Sequence, residues 1–130
     1  MTNVLFVCLH NAGRSQMSQA FFERAAGDRH AVRSAGTTPA RHLHPEVLGA
    51  MLELGIDLSD RRPRLLTRDD AEWADVVVTM GCGDECPYVP GTRYIDWELQ
   101  DPKGQTIEAV SRTRDEILRR VTDLAADLDT

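Results

Sequence analysis

The chain has 130 residues, of which 42% are hydrophobic and 28% charged, and a formal net charge of −6 at pH 7. That length suits one domain able to bury roughly two-thirds of its unfolded surface, and residues 1–130 read as one such unit. The acidic balance argues against a nucleic-acid partner, because phosphate backbones are met by clustered Lys and Arg, and no run is apolar and long enough to suggest a membrane span.

Asn3 to Val7 form a continuous apolar run ending at Cys8, the pattern of a strand buried on both faces of a parallel sheet. It is entered at once from Met1, with no basic segment or small-residue cleavage site, so no secretory signal is visible and a cytoplasmic location is the default. A polar, Gly-containing loop follows. From Gln16 the spacing of Met17, Ala20, Phe21 and Ala25 is helical, with Ser15 as the expected N-cap. A short strand is expected at Ala31 to Ala35. A helix is expected from Pro45 to Leu54, with Pro at its start and Gly55 beyond its end. Arg61-Arg62-Pro63-Arg64 lies among acids and reads as a solvated turn.

Thr67 with Asp70 three residues later resembles a capping arrangement for a short helix ending near Ala74. Val76-Val77-Val78 then reads as a buried strand and Arg93 to Ile95 as a last one. From Thr106 onward, Val110, Ile117, Val121, Leu124 and Leu128 share one helical face. Strands alternating with helices imply a three-layer α/β/α fold around a central four-stranded parallel sheet. Ligands in such folds sit at the carboxyl ends of strands, where Cys8, the loop after Met80 and the loop after Ile95 converge.

The attacking form of a cysteine is its thiolate, which a helix N-terminus and a nearby cation both favour. Cys8 is placed beside both. The backbone N–H groups of Leu9, His10, Asn11, Ala12, Gly13, Arg14 and Ser15 can close around a tetrahedral oxyanion, and the next helix adds its own free donors. Arg14 supplies a planar fork matched to two oxygens of that anion. Ser15 can hydrogen-bond the Cys8 sulfur, and Asn11 can brace the loop through its side-chain amide. The plainer alternatives are that Cys8 is a small buried hydrophobe at a strand end, or that the loop is a redox-inactive sulfate- or phosphate-binding module.

Cys8-x5-Arg14-Ser15, Ser34-Ala35-Gly36 and Asp101-Pro102 resemble the low-molecular-weight tyrosine phosphatase superfamily through essentially the whole chain. Asn11 to Met17, with the cysteine-containing loop after Met80, resembles its arsenate reductases, of the thioredoxin-coupled type. The resemblance implies that Cys8 attacks arsenate and that Asp101 acts as general acid. It further implies that Cys82 attacks Cys8 to release arsenite, and that Cys86 then attacks Cys82, a thiol–disulfide exchange. Asp101 by itself also reads as half of a turn-forming Asp-Pro pair.

No bound cofactor is expected; the reductant is an external thiol, either thioredoxin or mycothiol with a mycoredoxin. The Cys82-x3-Cys86 spacing is shorter than that associated with thioredoxin-linked relatives, so an external-thiol mechanism through Cys8 stays open. Some relatives hold a potassium ion near the loop. Gln19 stands where an acidic contributor is expected, and that site is not carried over. Phosphate or sulfate should occupy the same loop, and a monomer is expected. Two other readings remain. Cys82 and Cys86, with His42 and His44, could form a zinc site, although the spacing does not favour it. Tyrosine phosphatase activity is the other; against it, Asp101-Pro102-Lys103-Gly104 lacks the aromatic residues that flank a phosphotyrosine ring. Trp73 and Trp97 read as packing residues.

Overall fold

The computed structural model describes residues 1–81 and 89–130. Strand β1 (Asn3–Cys8) is central, pairing in parallel with β2 (Ala31–Gly36) on one side and β3 (Val76–Met80) on the other. β4 (Arg93–Asp96) continues the sheet beyond β3, giving the order β2-β1-β3-β4, with every pair parallel. The two middle strands are the continuous apolar runs, because only strands covered on both faces can bury every side chain. Val4, Leu5, Phe6 and Val7 are all fully buried.

Successive residues of β1 point to opposite faces and so divide the core in two. Val4, Phe6 and Cys8, with Val76, Val78 and Met80, face the larger cluster. That side carries α1 (Arg14–Ala26), α2 (Pro45–Leu52) and α4 (Ile107–Leu128). Phe6 meets Phe22 of α1 edge-on at 5.9 Å between ring centroids, and Trp97 at the same distance. Full burial of such a ring contributes roughly 1.5–3 kcal/mol. Leu5, Val7 and Val77 face a smaller cluster with Ala74, Leu66, Trp73 and Tyr94, at the end of α3 (Arg68–Trp73). Among the described residues, helices therefore cover both faces as the alternation predicts, three on one side and one on the other.

Local signals place the ends. The Thr67 hydroxyl accepts from Asp70 N–H while the Asp70 carboxylate accepts from Thr67 N–H, a complete capping box for α3. Thr106 Oγ1 accepts from Ala109 N–H at the start of α4, whose Val110, Ile117, Val121 and Leu124 are buried on one face. α2 begins at Pro45 and stops at Leu52, two residues short of expectation. The chain turns there, and Gly55 takes a φ of +75°, where a side chain would be strained. A 3-10 turn at Gly27–Arg29, not foreseen, follows α1.

One expected cap is absent. α1 starts at Arg14 with Gly13 at its N-cap and no side-chain cap, not at Gln16 behind Ser15. The physical reason is that the Ser15 hydroxyl is already engaged with Cys8 and Asn11.

The strand order reverses at β1, whose two neighbours belong to chain segments running to opposite sides. Outside the carboxyl ends of β1 and β3 lies the crevice where such sheets bind ligands. Cys8 and Gly81 stand on its two sides. Among the described residues no helix is long and apolar enough to cross a membrane.

Candidate active site

Cys8 is the last residue of β1 and is 2% exposed. The loop after it is fastened from outside. Thr38 N–H donates to the carbonyl of Leu9, Ala40 to that of His10 and His44 to that of Ala12, while Met17 N–H takes that of Gly13. In a planar trans peptide the N–H of the next residue points opposite to the carbonyl. The amides of His10, Asn11 and Gly13 are thereby turned away from the residue 37–44 segment, and that of Arg14 points out of the N-terminus of α1. Asn11 N–H makes this visible, donating to Cys8 Sγ at 3.2 Å. Asn11 is the one described non-glycine residue with positive φ, +50°, a conformation Asn tolerates better than most residues.

The side chains complete a polar network inside an apolar surround. Asn11 is fully buried, and every hydrogen-bonding position of its amide is used. Its Nδ2 donates to Ser15 Oγ at 2.6 Å and Ser34 Oγ at 3.1 Å. Its Oδ1 accepts from Gln16 Nε2 at 3.0 Å and Arg64 N–H at 2.9 Å. Ser34 in turn donates to Gln19 Oε1 at 2.6 Å. Ser15 Oγ lies 2.9 Å from Cys8 Sγ, and because it accepts from Asn11 its proton is available to the sulfur. Asn11 N–H and Ser15 Oγ thus converge on the sulfur, the first as a donor and the second as a hydroxyl able to donate.

Arg14, the first residue of α1, has a side chain only 7% exposed. Its guanidinium lies 3.6 Å from Asp101 and 3.4 Å from the Leu99 carbonyl, and it packs against Gly81. Gly81 has a φ of +90°, and a Cβ there would run into that guanidinium. Asp101 is 40% exposed and accepts from Lys103 N–H, the local turn expected of Asp-Pro. Pro102 closes over Gly13, where an added Cβ would stand 2.6 Å from Pro102 Cγ. The loop after β4 is therefore folded down on the start of α1.

His10 and His44 stand edge to face at the rim, with ring centroids 6.4 Å apart. Burial holds the His44 imidazole below its ordinary value, against the opposing pull of Asp101. Cys82 and Cys86 lie outside the described residues. Among the described residues no group of three His, Cys, Asp or Glu side chains is placed to hold a metal ion.

Cys8, Asn11, Gly13, Arg14 and Ser15 of the first segment, Gly81 after β3 and Asp101 after β4 are thus brought together from three chain segments, as the strand ends imply. The turn at Arg61 to Arg64 corrects the sequence reading. Its side chains are largely solvated, but its backbone is bonded to the site through Arg62 O to Gln16 and Arg64 N–H to Asn11. Trp73 also does more than pack, carrying the Arg33 guanidinium over its ring at 4.1 Å. The roles of Gln19 and Arg64, and the pairing of Asp70 with Arg64, carry no local motif. The signal available was Asn11 itself, since a buried amide needs a full set of partners.

The family model for low molecular weight phosphotyrosine protein phosphatase matches residues 3–130. A glutaredoxin arsenate reductase of Synechocystis sp. is 35% identical over 131 residues, 98% of this chain and 99% of that protein. A structure of a Corynebacterium glutamicum thioredoxin-dependent arsenate reductase superposes with a TM-score of 0.84 at 42% identity, covering 99% of this chain. This chain spans 62% of that one's length. A structure described as an arsenate reductase in the phosphate binding state has a TM-score of 0.86 at 34% identity, covering 98% of both chains.

Proposed function

This chain belongs to the low molecular weight phosphotyrosine protein phosphatase family, and from that premise we propose that it reduces arsenate to arsenite. The observation that carries the reading is the Cys8 sulfur, held by Asn11 N–H and near Ser15 Oγ in a strand-loop-helix turn, with Arg14 heading the helix that follows and its guanidinium paired to Asp101. A thiolate there faces a tetrahedral anion gripped by loop amides and one guanidinium. The relatives named as arsenate reductases support the choice of anion.

In the reaction, Cys8 attacks arsenic and an arsenate oxygen leaves as water, with Asp101 as general acid. Cys82 then attacks the Cys8 sulfur. A Cys8–Cys82 disulfide forms, the arsenic–sulfur bond breaks, and its electron pair reduces As(V) to arsenite. Cys86 attacks Cys82 and frees Cys8, and an external dithiol reduces the Cys82–Cys86 disulfide. Thioredoxin is the reductant favoured by the three cysteines and by the thioredoxin-dependent Corynebacterium structure. The protein acts as a cytoplasmic monomer with no bound cofactor, its 130 residues forming one domain.

The test is arsenate-dependent NADPH oxidation with thioredoxin and its reductase, run beside mycothiol with mycoredoxin, on the parent and on Cys8→Ser, Cys82→Ser and Cys86→Ser. All three substitutions should abolish turnover with thioredoxin. Full activity of the Cys82 and Cys86 variants with mycothiol would replace the relay by an external-thiol mechanism. The family model favours a second reading, phosphotyrosine hydrolysis, which fast turnover of a phosphotyrosine substrate without arsenite formation would select.

A further inference from the structure

We infer that Arg64 is a positioning residue for Cys8, acting through Asn11; this rests on the reading of Cys8 as the nucleophile. A side-chain amide can in principle sit either way round, but a backbone N–H can only donate. The bond from Arg64 N–H to Asn11 therefore fixes the oxygen end of that amide, and the nitrogen end must face the two serines. Both Nδ2 hydrogens are then spent. Ser15 is forced to accept from Asn11, and toward a thiolate at Cys8, which can only accept, the serine's own proton is the one that bridges the 2.9 Å to the sulfur. Gln19 enforces the same polarity at Ser34, whose proton it accepts.

The Arg64 side chain secures the placement of its own backbone. Nη1 donates to the Ser34 carbonyl at 2.6 Å, and Nη2 spans both oxygens of Asp70 at 2.9 and 3.0 Å. Asp70 is 1% exposed and is itself fixed by the Thr67 capping box and Arg33. One cation thus ties α3 and β2 to the residue that orients the anion loop. Backbone bonds between Gly36 and the Arg64–Leu66 segment share the work, so the effect should be graded and not absolute.

The test uses the Cys82→Ser/Cys86→Ser protein as parent, in which Cys8 is the sole thiol, and follows alkylation of the folded protein by iodoacetamide against pH. Arg64→Ala should slow the reaction about fivefold at neutral pH, the order expected for one lost hydrogen bond, with the difference vanishing in alkali where every thiol is ionised. Asp70→Asn should slow it in the same direction, and Arg64→Lys, which keeps a cation for Asp70, should recover at least half of the loss. Arg68→Ala, on the same segment with an exposed ion pair to Glu72, should change nothing. A role in stability alone predicts the opposite sign, because loosening exposes a buried thiol. Alkylation of Arg64→Ala at or above the parent rate at neutral pH overturns the inference; if that variant does not fold, Arg64→Lys and Asp70→Asn decide it by the same comparison. Absence of arsenite formation by the wild type, with alkylation slowed as expected, would sink the reductase reading and leave the inference about Cys8 standing.

Discussion

The guanidinium of Arg14 and the carboxylate of Asp101 lie 3.6 Å apart across the mouth of the anion loop. An incoming oxyanion needs that guanidinium, so substrate and an ionised Asp101 compete for one cation. Asp101→Asn removes both the competitor and the proton donor. Turnover should fall by about two orders of magnitude or more, the usual scale for a lost general acid. Inorganic phosphate should bind as tightly as before or more so, by calorimetry. Weaker phosphate binding in step with the turnover loss would show that Asp101 shapes the site and does not act in the chemistry.

Gly81→Ala should be the most damaging change at the end of β3. Its φ of +90° strains any side chain, and the added methyl meets the Arg14 guanidinium. Phosphate affinity should drop at least tenfold while the melting temperature moves by only a few degrees, since the residue closes a loop and does not fill the core. An unchanged dissociation constant would mean that Arg14 takes another path to the anion.

Much of this architecture was readable in advance because it rests on local chemistry. The apolar run before Cys8, Pro45 at a helix start, and the reciprocal spacing of Thr67 and Asp70 each report a nearby constraint, and each appears in place. Ser15 misled for an instructive reason. A serine just before a helical pattern looks like a cap, yet this hydroxyl serves the sulfur seven residues earlier. The Arg61 to Arg64 turn was opaque because its contribution is made by backbone groups, an N–H and a carbonyl, which any residue possesses. Only the fold reveals that they end on Asn11 and Gln16.

Asn11→Ala should cost about 2–4 kcal/mol of stability by urea unfolding. The substitution puts a non-glycine, non-Asn side chain at φ +50° and strips four hydrogen bonds from buried groups. Asn11→Asp keeps the shape but offers the serines an acceptor where they had donors, so it should be nearly as costly and should lose the orientation of Ser15 toward Cys8. Near-parent stability in both variants would refute the view that this amide organises the loop.

The Asp70 carboxyl carries a distinct acid signature. Burial opposes its ionisation, but hydrogen bonds from Arg64 and Thr67 outweigh that, and the group is held below its ordinary value. A carboxyl depressed in the folded state binds fewer protons there than in the unfolded chain, so its contribution is complete above the unfolded value of about 3.9. It is lost as pH falls through the lower folded value. Asp70→Asn should therefore be less stable than the parent by a constant margin from neutral pH down to about pH 4, and the margin should narrow on further acidification. Urea midpoints taken across that range provide the measurement. A margin independent of pH down to the acid unfolding limit would mean that Asp70 stabilises the fold through shape and hydrogen bonding, with no share from its charge.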